Sequence, residues 1–127
     1  MLDSINYSKN MKLRIKGNSI RFRLTQSEVA AFGTVGQVKE AVNFGNQDES
    51  DFFYAVERNS TRNLSTAFEE GKLKVSVPKD TVNQWVNTEQ VGIEGEDGDL
   101  RILIEKDFVC PTPRKGEDEH DNFPHPK

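Results

Sequence analysis

The sequence lacks the features that define several classes of protein. It has one cysteine in 127 residues, which excludes an internal disulfide and agrees with a reducing compartment. No apolar run approaches the roughly 20 residues that a membrane helix requires. The first residues do not join a basic stretch to an apolar one, as a secretory signal does. We therefore expect a cytoplasmic protein without a membrane segment.

The motifs of known catalytic chemistry are also missing. The sequence contains no Gly-x-Ser-x-Gly, Walker or Gly-x-Gly-x-x-Gly run. Cys110 precedes a proline, and no base stands at a fixed spacing from it. We therefore expect no cofactor. The absence of these motifs does not exclude an enzyme, but no residue pattern in the sequence indicates one.

The C-terminal tail, residues 110–127, differs in composition from the rest of the chain. Its prolines alternate with charged residues, which predicts no regular structure. We predict no metal site there, because the zinc-ligand residue types are present but no Cys-x-x-Cys pair is; the candidates are Cys110, His120 and His125. The acidic run 117–121 is either a solvated segment or a counter-ion that folds back over basic residues elsewhere.

The strongest pattern in the chain is MKLRIKGNSIRFRL, which spans residues 11–24. Apolar and charged residues alternate on both sides of Gly17-Asn18, which predicts two strands joined by a two-residue loop. This register places five cations on one face, called the basic face below: Lys12, Arg14, Lys16, Arg21 and Arg23. Like charges that lie opposite each other destabilise a ladder by roughly 0.2–1 kcal/mol per pair. The basic face therefore requires anions nearby.

Two sources of these anions remain open. Residues 1–44 carry seven Lys/Arg and three Asp/Glu, and residues 45–127 carry ten and eighteen, which together give the net charge of −4. The acidic part can neutralise the basic face through the tail or through Glu57, Glu105 or Asp107. Alternatively, the face binds an anionic small molecule, since arginine forks suit phosphate oxygens. We do not expect nucleic acid, because no aromatic residues alternate with these cations.

Two short helices are predicted from capping and periodicity. Residues 25–28, Thr-Gln-Ser-Glu, form a capping box, and Gly33 is expected to end the helix that follows. A second helix is expected to be capped by Asp80 or Thr81. Its apolar face has the spacing i, i+3, i+4 and consists of Val82, Trp85 and Val86.

The remaining strands predict an α+β fold. A second hairpin is expected around Glu70-Gly71, a single short strand within the turn-rich stretch 92–98, and other strands at 38–44, 52–57 and 100–104. The order β-β-α-β-β-β-β-α-β, with a further short strand near the end, indicates a mainly antiparallel sheet that curls towards a barrel. No internal repeat is evident beyond the two similar hairpins. We expect an N-terminal extension at 1–10, one domain at 11–109 and the tail, either free or packed on that domain.

The runs MKLRIKGNSIRFRLTQSEV and LRILIEKDFVCPTPRKGEDEHDNFPHPK resemble a family of short bacterial proteins known only as a domain of unknown function. The resemblance extends from Met11 to near the C-terminus and implies that Met11 is the usual start. It implies no catalytic or binding residues. We therefore predict a bacterial, non-catalytic binding or interaction module. The alternative is an enzyme that acts on a phosphorylated small molecule at the basic face. The sequence does not determine the partner or the oligomeric state.

Overall fold

The computed structural model describes residues 10–45, 52–108 and 121–124. The strands are β1 (Lys12–Lys16), β2 (Ser19–Leu24), β3 (Gln37–Val42), β4 (Phe52–Asn59), β5 (Ser65–Glu69), β6 (Lys72–Pro78), β7 (Gly92–Asp97) and β8 (Leu100–Lys106). The helices are α1 (Gln26–Thr34) and α2 (Lys79–Asn87). This arrangement confirms the predicted α+β class and the predicted order of elements.

The strands form two four-stranded sheets and not one curled sheet. The first sheet has the order β1-β2-β8-β7, and the second has the order β3-β4-β6-β5. In each sheet two antiparallel hairpins meet at a parallel central pair, β2 with β8 and β4 with β6. The described strands do not close into a barrel. Antiparallel pairs remain the majority, as predicted.

The structure contains an internal repeat that the sequence did not reveal. The halves β1-β2-α1-β3-β4 and β5-β6-α2-β7-β8 have the same order of elements. Exchanging the two halves converts the strand order of one sheet into that of the other. The registers agree as well, because Phe22 pairs with Ile104 in the first sheet and the equivalent Val75 pairs with Val56 in the second. Each sheet therefore contains one hairpin from each half.

One core joins both sheets and both helices. Its largest fully buried side chains include Trp85, Phe22 and Phe32. The helices contact each other at equivalent positions of the repeat, where the Phe32 ring meets the Trp85 ring edge-on with centroids 6.1 Å apart. The core side chains come from one face of each sheet, and the opposite faces carry the more exposed residues. Among the described residues, no helix has the length and apolar character needed to cross a membrane.

The ends of α1 show which glycine terminates the helix. The predicted capping box is present, and the Thr25 amide donates to Glu28 Oε1 at 2.8 Å. The prediction that Gly33 ends the helix was wrong, because Gly33 lies inside α1. The helix is followed by Gly36, which has φ +92° and whose amide donates to the Ala31 carbonyl at 3.1 Å. Only glycine adopts this left-handed backbone without cost.

Two other segments test the sequence prediction. The predicted cap of α2 was wrong, because the helix begins at Lys79 with Pro78 as its N-cap; Asp80 lies in the first turn, where its carboxylate interacts favourably with the positive end of the helix dipole. The turn-rich stretch 92–98 forms the full strand β7, which pairs with β8 around a turn at Gly98. This confirms the single strand that the sequence predicted in this stretch.

A short C-terminal segment packs on the N-terminal end of α1. The Gln26 amide donates to the Asp121 carbonyl at 3.0 Å, and its side chain donates to the Asn122 carbonyl at 3.0 Å. The Phe123 amide donates to the Asp107 carbonyl at 2.7 Å. The predictions made for residues 1–9, and for the tail apart from 121–124, fall outside the described residues.

Candidate functional site

The first hairpin has the register that the sequence predicts. Gly17, with φ +56°, provides the positive φ that a two-residue turn requires. Arg14 lies opposite Arg21 on one face, and Leu13 lies opposite Phe22 on the other. Because Phe22 is fully buried in the core, the five cations of the basic face all lie on the outer surface of the first sheet.

Two carboxylates neutralise part of the basic face. Parallel pairing of β2 with β8 places Glu105 beside Arg23, with Glu105 Oε1 3.3 Å from Arg23 Nε and 3.6 Å from Arg21 Nε. One carboxylate therefore serves two guanidinium groups. Asp107 follows the end of β8, and its Oδ2 lies 3.2 Å from Lys12 Nζ. Both carboxylates are among the partners that the sequence offered.

The hairpin end of the basic face keeps its positive charge. Arg14 and Lys16 are exposed, and neither forms an ion pair with a carboxylate in the described ranges. Glu57, another partner suggested by the sequence, lies in the second sheet with its Oε1 3.7 Å from Lys74 Nζ. An anion that approaches this end of the hairpin therefore meets two cations without ion-pair partners in this part of the chain.

Strand β8 adds a sixth cation to this surface, which sequence reasoning missed. Arg101 lies beside Ser19 in the parallel pair, on the same face as the other five. Its Nη2 is 3.5 Å from Glu94 Oε2, but both side chains are 67% exposed, so the ion pair is weak. A depression of about 140 Å³ lies between these strands. No local pattern in the sequence predicts that β2 and β8 are neighbours.

Among the described residues, four groups have shifted pKa values; three of them are buried and none belongs to the basic face. Burial raises the pKa of Glu28, and burial raises the pKa of Tyr54 to about 12, where the Tyr54 hydroxyl donates to the Met11 carbonyl at 2.8 Å. Burial lowers the pKa of Lys106, whose Nζ donates to the Thr88 carbonyl at 2.8 Å. All three side chains are enclosed within the protein. They do not present an acid or base to a ligand on the outer surface.

The metal candidates of the tail, Cys110, His120 and His125, lie outside the described residues. Within residues 10–45, 52–108 and 121–124, no three side chains of His, Cys, Asp or Glu form a group that could hold a metal ion. The prediction about metal binding therefore stays a prediction.

Comparison with known proteins places the chain in a family. A family model described as a family of unknown function (DUF7009) matches residues 11–127, nearly the whole chain. No curated protein matches the chain. The family match confirms the resemblance noted in the sequence, including its start at Met11. Since the family description assigns no activity, the function has to be argued from the geometry.

Proposed function

We propose that this chain, which belongs to the DUF7009 family of unknown function, is a non-catalytic binding module that takes a small phosphate-bearing anion on the basic face. The observation that carries the proposal is the exposure of Arg14 and Lys16 without a carboxylate partner in the described part of the chain. Arginine is suited to this role because its planar fork donates two parallel hydrogen bonds to phosphate oxygens.

The charge balance of the whole outer surface supports the proposal. The first sheet places six cations there, the basic face and Arg101, against the carboxylates of Glu94, Glu96 and Glu105 and of Asp107 at the end of β8. Glu105 is already shared by two arginines. The uncompensated positive charge is therefore concentrated at the end of the first hairpin, where the electrostatic attraction for an anion is strongest.

Arg14 and Arg21 form the centre of the proposed site. They lie directly opposite each other across β1 and β2, and Arg21 has the half-buried Leu103 as its neighbour on β8. Like charges in this arrangement cost roughly 0.2–1 kcal/mol. An anion that bridges the two guanidinium groups removes this repulsion and adds charge-assisted hydrogen bonds. Lys16, two residues along the same face, provides a third contact.

The open shape of the surface supports a binding module over the alternative, an enzyme that acts on a phosphorylated small molecule. Catalytic sites gain electrostatic power by excluding water around the reacting atoms. The basic face is one side of an exposed sheet. Of the four described groups with shifted pKa values, three are buried in the core and none belongs to the basic face.

Calorimetric titration with tripolyphosphate tests the proposal. At low ionic strength, Arg14→Ala should weaken binding about tenfold, since a charge-assisted hydrogen bond contributes about 1.5–3 kcal/mol and part of it is recovered by neighbouring cations. The matched control is Arg62→Ala, which removes an exposed arginine from the segment between β4 and β5. We expect the control to bind like the unmodified protein.

The salt dependence provides a second readout. Raising the ionic strength from about 0.01 M to about 0.15 M shortens the screening length from about 30 Å to about 8 Å. Binding to the unmodified protein should weaken more steeply than binding to the Arg14→Ala variant, which has one cation fewer. An absence of binding at low salt, or an equal loss in the Arg62→Ala control, would remove the basic face as the site.

A further inference from the structure

We infer that the outer face of the second sheet is a separate binding site for a small organic anion with a planar ring, such as a nucleoside monophosphate. This inference goes beyond the proposed function, because it concerns another sheet and other residues. It rests on a groove of about 410 Å³ that runs across β3, β4, β6 and β5. Ligand pockets in proteins commonly measure about 300–1,000 Å³.

The internal repeat shows why this face of the second sheet has room for the groove. Its floor is formed by Ala55 and Ala67, which lie on either side of Lys74. The equivalent row of the first sheet holds larger side chains, Leu103 and Arg14, on either side of Arg21. The first sheet has a depression of only about 140 Å³ at this place. Two methyl groups thus leave open the space that leucine and arginine occupy in the other sheet.

Three lysines surround the alanine at the centre of the floor. Lys39 and Lys74 lie on either side of Ala55 on the neighbouring strands, and Lys72 lies one pair further along β6, opposite Phe53. Side chains that are direct neighbours in a sheet have Cβ atoms about 4.5–5.5 Å apart, and diagonal neighbours about 7–8 Å. All three ammonium groups can therefore reach an anionic group placed above the Ala55 methyl.

The carboxylates of the groove lie in the rows at its two ends; Lys39 and Lys74 lie in the middle row, and Lys72 lies in an end row directly opposite Glu69. At one end, Glu57 accepts a hydrogen bond from Gln37 Nε2 at 2.6 Å and lies 3.7 Å from Lys74 Nζ. At the other end, Glu69 and Glu70 stand at the turn between β5 and β6. This distribution favours a ligand with a central negative group and hydrogen-bond donors at its periphery.

Phe53 lines the groove beside the alanine floor, and the exposed part of its ring favours a ligand with a planar ring. Lys72 Nζ lies 5.9 Å from the centroid of the Phe53 ring, so cationic and aromatic surfaces adjoin each other. A heterocycle can stack on this ring and on the methyl groups while its phosphate reaches the lysines. An exocyclic amino group would then donate to a carboxylate at the end of the groove.

An NMR titration of the full ¹⁵N-labelled chain tests this site with AMP, adenosine and inorganic phosphate. AMP should shift the amide signals of Ala55, Lys72 and Lys74. Ala55→Leu should weaken AMP binding at least tenfold, because leucine fills the floor as Leu103 does in the first sheet. The matched control is Ala30→Leu, at an exposed alanine of α1, which should bind AMP unchanged.

A second variant removes a cation and leaves the floor intact. Lys72→Met, at an exposed position, should weaken AMP binding about fivefold, whereas the exposed Lys79→Met should not. Several outcomes would overturn the inference: no shifts with AMP, shifts confined to the first sheet, or unchanged binding in Ala55→Leu. Equal affinity for inorganic phosphate would disprove the role of the ring, and equal affinity for adenosine would disprove the anion. Arg14→Ala should leave the AMP-induced shifts of Ala55, Lys72 and Lys74 unchanged, because these amides report only the second sheet, and the two proposals can therefore fail independently.

Discussion

Glu28 is a buried acid that also accepts a hydrogen bond from the N-cap residue of α1. Its Oε1 accepts the Thr25 amide of the capping box at 2.8 Å, and its side chain is 6% exposed. Its Oε2 has no hydrogen-bond partner among the described residues. Burial raises the pKa of Glu28 above its ordinary value of 4.5, and hydrogen bonds from Thr25 and Asn10 oppose this shift without cancelling it. Burial therefore favours the protonated form of the Glu28 carboxyl.

This raised pKa makes the free energy of unfolding depend on pH. Between the ordinary value of 4.5 and the raised pKa, the folded protein binds the proton that the unfolded chain releases, so this contribution is lost as the pH rises. Glu28→Gln keeps an oxygen for Thr25 and does not titrate. Urea denaturation between about pH 4 and about pH 7 should show the Gln variant gaining stability relative to the unmodified protein. A difference that stays constant or shrinks with pH would contradict this account.

The five cations of the basic face show how much of a site a sequence can predict. Their shared surface follows from strict alternation around Gly17-Asn18, which is local information. Arg101 joins the same surface only because β8 lies beside β2, and nothing near Arg101 in the chain signals this. The groove of the second sheet was missed for the same reason, since its residues come from four strands.

At the scale of whole elements, the two helices touch at positions related by the internal repeat. Phe32 meets Trp85, and the next residue of each helix is also in contact. A Cβ built on Gly33 would lie 2.9 Å from Val86 Cγ1, closer than two carbon atoms tolerate. Gly33 is therefore required by the approach of α2 and not by the end of α1.

Gly33→Ala should have opposite effects in two backgrounds. Alanine favours a helix by about 1 kcal/mol over glycine, but an extra methyl group in a packed contact costs about 1–3 kcal/mol. In the unmodified protein we expect a loss of about 1 kcal/mol in the free energy of unfolding. In a Val86→Ala background, where the contacted atoms are absent, we expect a gain of up to about 1 kcal/mol.

Chemical denaturation of the four proteins of this double-mutant cycle provides the measurement. If Gly33→Ala destabilises both backgrounds equally, the helices do not meet at this contact.

The sequence predicted elements better than the partners of those elements. Hairpins and helix caps depend on residues close in the chain, and the order of elements was confirmed. The pairings of β2 with β8 and of β4 with β6 depend on residues far apart, as Arg23 and Glu105 are at 82 positions. The division into two sheets follows from these two parallel pairs, and that is why one curled sheet was expected.

At the scale of the whole molecule, residues 121–124 attach the C-terminal part of the chain to the start of α1 and to the end of β8. Their backbone exchanges hydrogen bonds with Gln26 and with Asp107. The Phe123 ring lies 5.6 Å from Lys106 Nζ and 5.6 Å from the Phe108 ring centre. Most of these contacts are neutral hydrogen bonds and ring contacts, which salt screens little.

Removing residues 121–127 should therefore lower the free energy of unfolding by about 2–4 kcal/mol, from lost hydrogen bonds of about 1 kcal/mol each and lost burial of an aromatic ring. The loss should be nearly equal at low and high salt. Thermal melts of the full and shortened chains at two salt concentrations provide the comparison. A loss that disappears at high salt would contradict this account, because it would show that the segment acts through charge.

The repeat also constrains how the protein is made. Since each sheet combines a hairpin from the first half with one from the second, β2 has no partner on its inner side until β8 has been synthesised. Closing so long a loop costs entropy before any contact repays it, and such topologies fold slowly. On the ribosome, the first hairpin therefore emerges with one edge of β2 unpaired, and this edge stays unpaired until residues 100–106 have been made.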